Sequence, residues 1–181
     1  MQGRWLLARA GKRVLRPGGL DLARRMLNAL NLSEHDRAIE FAPGLGITAR
    51  MVLRTNPLEY RAVERDPAVA KRLEALLPRN RVQVVRAQAE DSGLPSASAT
   101  VVYGGAMLSM QTAEQKVRIV REAVRFLAPG ARYGIHELCL RPEGISNRVR
   151  REIATAMSTE IHVGVQPLCC GEWVALLDCM D

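Results

Sequence analysis

The sequence predicts an α/β fold, a doubly wound and mostly parallel sheet covered by helices on both faces, behind a helical N-terminus. Three observations carry this reading. Short apolar runs alternate with segments of helical period between about residues 36 and 140, the order of elements that a parallel sheet requires. The first run, "AIEF", opens directly onto "APGLGITA". That turn, two glycines followed by helix formers, suits the carboxyl end of the first strand of such a sheet. Finally, 181 residues at 48% apolar content supply one sizeable core, and no repeat, low-complexity tract or linker divides the chain.

Residues 1–35 read as a helical lid on a single domain at 36–181. "RPGG" (16–19) breaks the helical pattern. A second helix runs through "LDLARRMLNAL" and stops at Asn31, a residue type that tolerates the left-handed conformation of a helix end. The alternation then begins: "AIEFA" is a strand, "ITARMVLRT" a helix and "LEYRAVE" a strand. Asp66 and Pro67 are the cap and first residue of the next helix, which runs to Leu77 before Pro78. "RVQVVRA" is the third strand and "ATVVY" the fourth. "TAEQ" (112–115) is a capping box. It opens a helix to Leu127, with Val117, Val120, Val124 and Leu127 on one face. "LAPG" ends that helix, "ARYGIHEL" is the fifth strand, and two further helices are expected near 146–160 and 171–180.

Composition narrows the function classes. The net charge is +7, but 23 arginines against 3 lysines lie scattered among acids rather than gathered on one block. That distribution argues for a solvated surface over a nucleic-acid face. No run reaches the roughly 18 apolar residues of a membrane span, and arginine interrupts the apolar part of "MQGRWLLARAGKRVLR" too soon for a signal peptide. The chain is therefore read as cytoplasmic. Cys139, Cys169, Cys170 and Cys179 contain no CxxC spacing and read as reduced thiols, with no metal site.

The glycine turn admits two cofactors, a nicotinamide dinucleotide or S-adenosylmethionine. Gly44, Gly46 and Ala49 satisfy G-x-G-x-x-A, and Glu64 stands 18 residues past Gly46, where an acid that binds ribose belongs. Glu40, just before the glycines, tilts the choice. A carboxylate there would repel a pyrophosphate, whereas a sulfonium cofactor brings a cationic sulfur and an ammonium group. "RAQAED" (86–91) then places polar and acidic groups after the third strand, where an adenine edge would be read.

"EFAPGLG", "VERD", "AQAEDSGLP" and "LAPGARYGIHEL", in this order and spacing, resemble the class I S-adenosylmethionine-dependent methyltransferases. The likeness is strongest to the small-molecule group that includes the quinone-biosynthesis enzymes. It covers about residues 36–140 and implies a Rossmann-like sheet. By this resemblance Glu40, Gly44 and Gly46 would hold the methionine part of S-adenosylmethionine, and Glu64 would accept from both ribose hydroxyls. Gln88, Ala89 and Glu90 would border the adenine, and Gly104 would lie near the methionine amino group. Two positions depart from the family pattern. Ala42 stands where a glycine is usual, which ordinary backbone dihedrals would tolerate, and Gln88 stands where an aspartate is common.

Methyl transfer asks the protein mainly to align the acceptor and exclude water. "VVYGGAMLSM" after the fourth strand lacks the Asn/Asp-Pro-Pro-Tyr/Phe turn of the amino-methyltransferases, which counts against an unactivated amine as acceptor. Met107, Leu108 and Met110 are read as an apolar acceptor wall. His136 is either a general base or a wall residue, and Glu137 is read as structural or bridging through water. His162 and Trp173 lie in the region that would close the pocket. A nicotinamide-dependent oxidoreductase and a non-catalytic binding module acting through a partner are the rival readings.

The family's sheet has seven strands, and no residues remain after "CGEWVALLDCMD" to build the last two. The expectation is thus five strands in the order 3-2-1-4-5, with the fifth, about Arg132 to Glu137, as an edge. That edge would pair with a second copy in a homodimer, be covered by 161–168, or mark a piece of a longer protein with an incomplete acceptor pocket.

Overall fold

The computed structural model describes residues 18–78 and 80–178. The basic stretch expected to form the first helix, and Cys179, lie outside the described residues. The elements are α1 (Gly19–Leu30), β1 (Arg37–Phe41), α2 (Ile47–Val52), β2 (Glu59–Val63), α3 (Pro67–Leu76), β3 (Val82–Val85) and β4 (Ala99–Gly105). They continue as α4 (Ala113–Phe126), β5 (Leu127–His136), β6 (Cys139–Leu140), α5 (Asn147–Ile161), β7 (Leu168–Cys169) and α6 (Cys170–Asp178). Short 3-10 turns at Leu53–Thr55 and Leu108–Met110 follow α2 and β4.

β1 to β5 form one sheet in the order β3-β2-β1-β4-β5, and every pairing is parallel. Alternate residues of β1 serve opposite faces. Ala38 joins Tyr60, Val101, Tyr103 and the buried residues of α1, α2 and α3. Ile39 and Phe41 join Val102, Ile119, Phe126 and Trp173 beneath α4 and α6. Both faces are therefore covered, as a parallel sheet needs.

Local signals act where expected. Asn31 caps α1 at φ 45°. Asp66 accepts hydrogen bonds from the backbone of Ala68 and Val69, and Thr112 and Gln115 close a reciprocal capping box. The buried face of α4 corrects the expectation. It carries Lys116, Ile119, Val120, Glu122, Ala123 and Phe126, turned by about one residue from the valine stripe. A charged residue counts as exposed in a periodicity argument, and here two are buried. Glu122 accepts from Ser92 and Arg125, while the Lys116 ammonium donates to the Gln111 carbonyl at 2.6 Å.

β5 begins earlier than expected. Ala99 pairs with Leu127 and Val101 with Arg132, so β5 advances five residues while β4 advances two, and Pro129-Gly130 lies in the bulge. α1 rests close on β5: a Cβ at Gly134 would sit 2.9 Å from the Leu30 side chain. Arg132 fastens the same contact, donating to the carbonyls of Leu30 and Asn31 and to Asp36. Among the described residues, β5 pairs only with β4. Residues 161–168 do not pair with it as a strand; β7 pairs instead with β6. No described helix is long and apolar enough to cross a membrane.

Candidate active site

A cleft opens at the carboxyl ends of β1, β2 and β4, where a doubly wound sheet parts its crossover connections. Its floor is the turn after β1. Ala42 keeps its N–H on the Val63 carbonyl at 2.9 Å, and the Gly46 N–H closes the turn on Pro43 at 3.0 Å. Gly44 and Gly46 both take positive φ. Only a carbonyl oxygen at 4.0 Å lies near a Cβ built on Gly44, so the backbone there borders open space and admits a ligand closely. A Cβ on Gly46 would meet Leu73 at 3.0 Å, and that glycine serves helix packing instead.

Ala42 overturns one expectation. Its φ is 49°, in the left-handed region where a Cβ costs roughly 1–2 kcal/mol. The dihedrals are not ordinary, and the alanine is strained where a glycine would not be.

Glu64 directly follows β2, is buried and lines the cleft. One carboxylate oxygen accepts from the Asp66 N–H at 3.0 Å, which orients the group. After β3, Ala89 and Glu90 line the cleft but Gln88 does not. Met107 and Met110 line the other end, and Gly105 rather than Gly104 reaches the opening. Gly104 packs inward, where a Cβ would sit 3.4 Å from the Cβ of Phe41.

Glu40, His136, His162 and Trp173, also singled out in the sequence, lie outside the cleft lining as well. Glu40 is fully buried, and its carboxylate accepts from the hydroxyls of Thr48, Tyr60 and Tyr103. Burial and the Glu40 charge push the Tyr60 hydroxyl well above the usual tyrosine range. His136 is half-buried at the end of β5, in register with Gly105, and its carbonyl accepts from the Ala106 N–H at 2.6 Å. Trp173 is buried and donates from Nε1 to the Leu138 carbonyl at 2.9 Å. His162 caps α5.

Glu137 holds the methionine end of the cleft together. One oxygen accepts from the N–H groups of Met107 and Leu108 at 3.0 and 2.9 Å, the other from the N–H and hydroxyl of Ser109 at 2.9 and 2.7 Å. Burial pushes its carboxyl above the ordinary range, and the four donors offset only part of that. Burial pushes the Lys116 ammonium down, opposed by the Glu137 charge.

The cleft also takes in Leu20 and Ala23 from α1, Arg65, Gln111, and Val163 from beyond α5. Sequence reasoning missed these. Arg65 and Gln111 adjoin residues already singled out, so adjacency was a usable signal, but Leu20 and Val163 reach the site only through the packing of distant elements. Among the described residues no cluster of His, Cys, Asp and Glu is placed to hold a metal ion.

Residues 39–135, more than half of the chain, match the methyltransferase domain family. An uncharacterized protein of Haemophilus influenzae is 27% identical over 175 residues, covering 94% of this chain and 68% of its own length. The YcgJ protein of Bacillus subtilis is similar in structure, with a TM-score of 0.75 at 16% identity over 87% of this chain and 66% of its own. A geranyl diphosphate methyltransferase solved in complex with S-adenosylmethionine gives 0.72 at 15% identity, over 87% and 62%. This chain thus spans about two thirds of the length of each of the three. At such identities the two structures speak for the fold alone. Because the match runs from β1 through β5 and the sheet has the order 3-2-1-4-5, the chain belongs to the methyltransferase-domain family of class I, S-adenosylmethionine-dependent enzymes.

Proposed function

We propose that this chain binds S-adenosylmethionine in the cleft and directs its methyl group to a small, uncharged, largely apolar acceptor. One observation carries the reading: the cleft is chemically divided. Among its described lining residues the charged side chains, Glu64, Arg65 and Glu90, stand at the ends of β2 and β3. The opposite end is built from Leu20, Ala23, Met107, Met110 and Val163, with Gln111 as its polar group.

The charged end suits a nucleoside. Glu64, oriented by the Asp66 N–H, would accept from ribose hydroxyls, while Ala89 and Glu90 would border the base. Gly44 would let the backbone approach the methionine part. Glu40 would act by holding Thr48, at the start of α2, against the sheet rather than by touching the cofactor. When bound, S-adenosylmethionine supplies an activated methyl on a cationic sulfur, open to in-line displacement by the acceptor. The apolar end would orient the acceptor and keep water out, and α1, which supplies Leu20 and Ala23, would be part of that cover.

Calorimetry tests the reading. S-adenosylhomocysteine should bind saturably, and Glu64→Ala should weaken it by roughly 1.5–3 kcal/mol, the loss of hydrogen bonds to a charged group. Saturable NAD(P) binding without binding of S-adenosylhomocysteine would overturn it in favour of an oxidoreductase. Transfer of labelled methyl across a library of neutral and charged acceptors then tests the acceptor class.

A further inference from the structure

We propose that Cys139 and Cys170 form an oxidisable dithiol, which a peroxide closes to an intramolecular disulfide tying the start of α6 to β6. The register of the small β6–β7 sheet brings the two together. Cys139 pairs with Leu168 and Leu140 with Cys169, so Leu140 and Cys169 face inward and are buried. Cys139 and Cys170 are both exposed free thiols. The register sets Cys139 beside Leu168, two residues before Cys170, and the Cys170 side chain is among the groups that act on the Cys139 thiol.

The neighbouring Cys169 is kept out of this pair. It is buried, and its Sγ accepts from the Arg150 guanidinium at 3.5 Å. Arg141 and Glu143 also face Cys139. The Glu143 carboxylate accepts from the Gly171 N–H at 3.1 Å, and Glu172 accepts from Arg150 and from the Cys169 N–H, both at 2.7 Å.

The Cys139 thiol is pushed up, first by partial burial and then by Cys170 beside it. The balance is the same whichever sulfur reacts first. The thiolate of one attacks one oxygen of hydrogen peroxide; the O–O bond breaks, leaving a sulfenic acid and a hydroxide that takes up a proton. The sulfur of the other then attacks the sulfenic sulfur, the S–S bond forms, the S–O bond breaks and water leaves. Overall two thiols and one peroxide give one disulfide and two waters, two electrons passing from sulfur to peroxide. The bond would lie two residues from Glu137 and beside the Trp173–Leu138 hydrogen bond, where the methionine wall meets α6.

The test uses the full chain, reduced and then treated with stoichiometric hydrogen peroxide, alkylated, digested without reductant and mapped by mass spectrometry. A linked Cys139–Cys170 peptide within one chain is expected. Closing the intervening loop should raise the melting temperature by about 5–10 °C. Cys139→Ser and Cys170→Ser should each abolish the link and the rise, with affinity for S-adenosylhomocysteine unchanged. Linkage through Cys169 or Cys179, a sulfinic acid on Cys170 without a link, or cross-links only between chains would overturn the proposal.

Discussion

Removing the Glu137 carboxylate is the sharpest probe of how this molecule builds its cleft. In Glu137→Ala the N–H groups of Met107, Leu108 and Ser109 lose their acceptor together. Leu108 and Ser109 are each 1% exposed, so solvent cannot replace that acceptor without the turn opening. Each orphaned buried donor costs about 1–3 kcal/mol. Lys116, 2% exposed, loses a compensating charge as well. Relief from burying the carboxylate itself offsets part of this, and the expected net loss is about 3 kcal/mol. That is a large fraction of the 5–15 kcal/mol typical of a domain. Glu137→Gln keeps one acceptor oxygen but aims an amide NH₂ at the remaining donors, and should lose about 2 kcal/mol. Equilibrium urea unfolding of the three proteins measures both losses. Hydrogen exchange should show faster exchange at residues 107–109 in the variants, because Glu137 reaches them through the fold rather than through a neighbouring turn. Losses under about 0.5 kcal/mol in both variants, with unchanged exchange at those amides, would refute the reasoning.

Three further outcomes follow from the same structure. Ala42→Gly should stabilise the protein by about 0.5–1 kcal/mol, the relief of a positive φ less the extra chain entropy of glycine, and a lowered melting temperature would contradict it. For Asp36, burial raises the carboxyl, but hydrogen bonds from Thr100, Ser33 and Arg132 together hold it below its usual value. A carboxyl depressed in the folded state stabilises above its unfolded value of about 3.9, and that stability is lost as the pH falls through the folded value. Asp36→Asn should therefore cost about 1.5–3 kcal/mol at neutral pH. The gap should narrow only in acid, and a gap that does not change with pH would sink the argument. If His136 deprotonates the acceptor, His136→Ala should lower turnover on the order of 10²-fold with cofactor affinity held; an unchanged rate would make it part of the wall.

Much of the scaffold was legible in the residues themselves. The alternation of elements, the Asp66 and Thr112 caps, the stop at Asn31 and the glycine turn each depend on residues within a few positions of one another. Such signals survive any tertiary arrangement, and together they announced the alternating elements; the strand order was expected from the family resemblance and is the one observed, and the cleft takes in Gly44, Glu64, Glu90 and Met107 among the residues singled out. What tertiary structure alone decided is where charge and strain could be buried. Lys116 and Glu122 read as solvent-facing until Gln111, Ser92 and Arg125 supply their partners, and so the α4 face was misjudged by about one residue. Glu40 looked like a cofactor ligand, yet the hydroxyl of Tyr103, 63 residues away, helps to hold it within the sheet. Ala42 looked ordinary, but its positive φ is set by the turn joining β1 to α2 while its N–H stays on Val63. Glu137 was read as structural or bridging through water, but its four donors had no sequence signal, because they lie 28–30 residues earlier. The physical reason is common to all of these: periodicity and capping are local, whereas burying a polar group depends on partners that only the folded chain brings within hydrogen-bond distance.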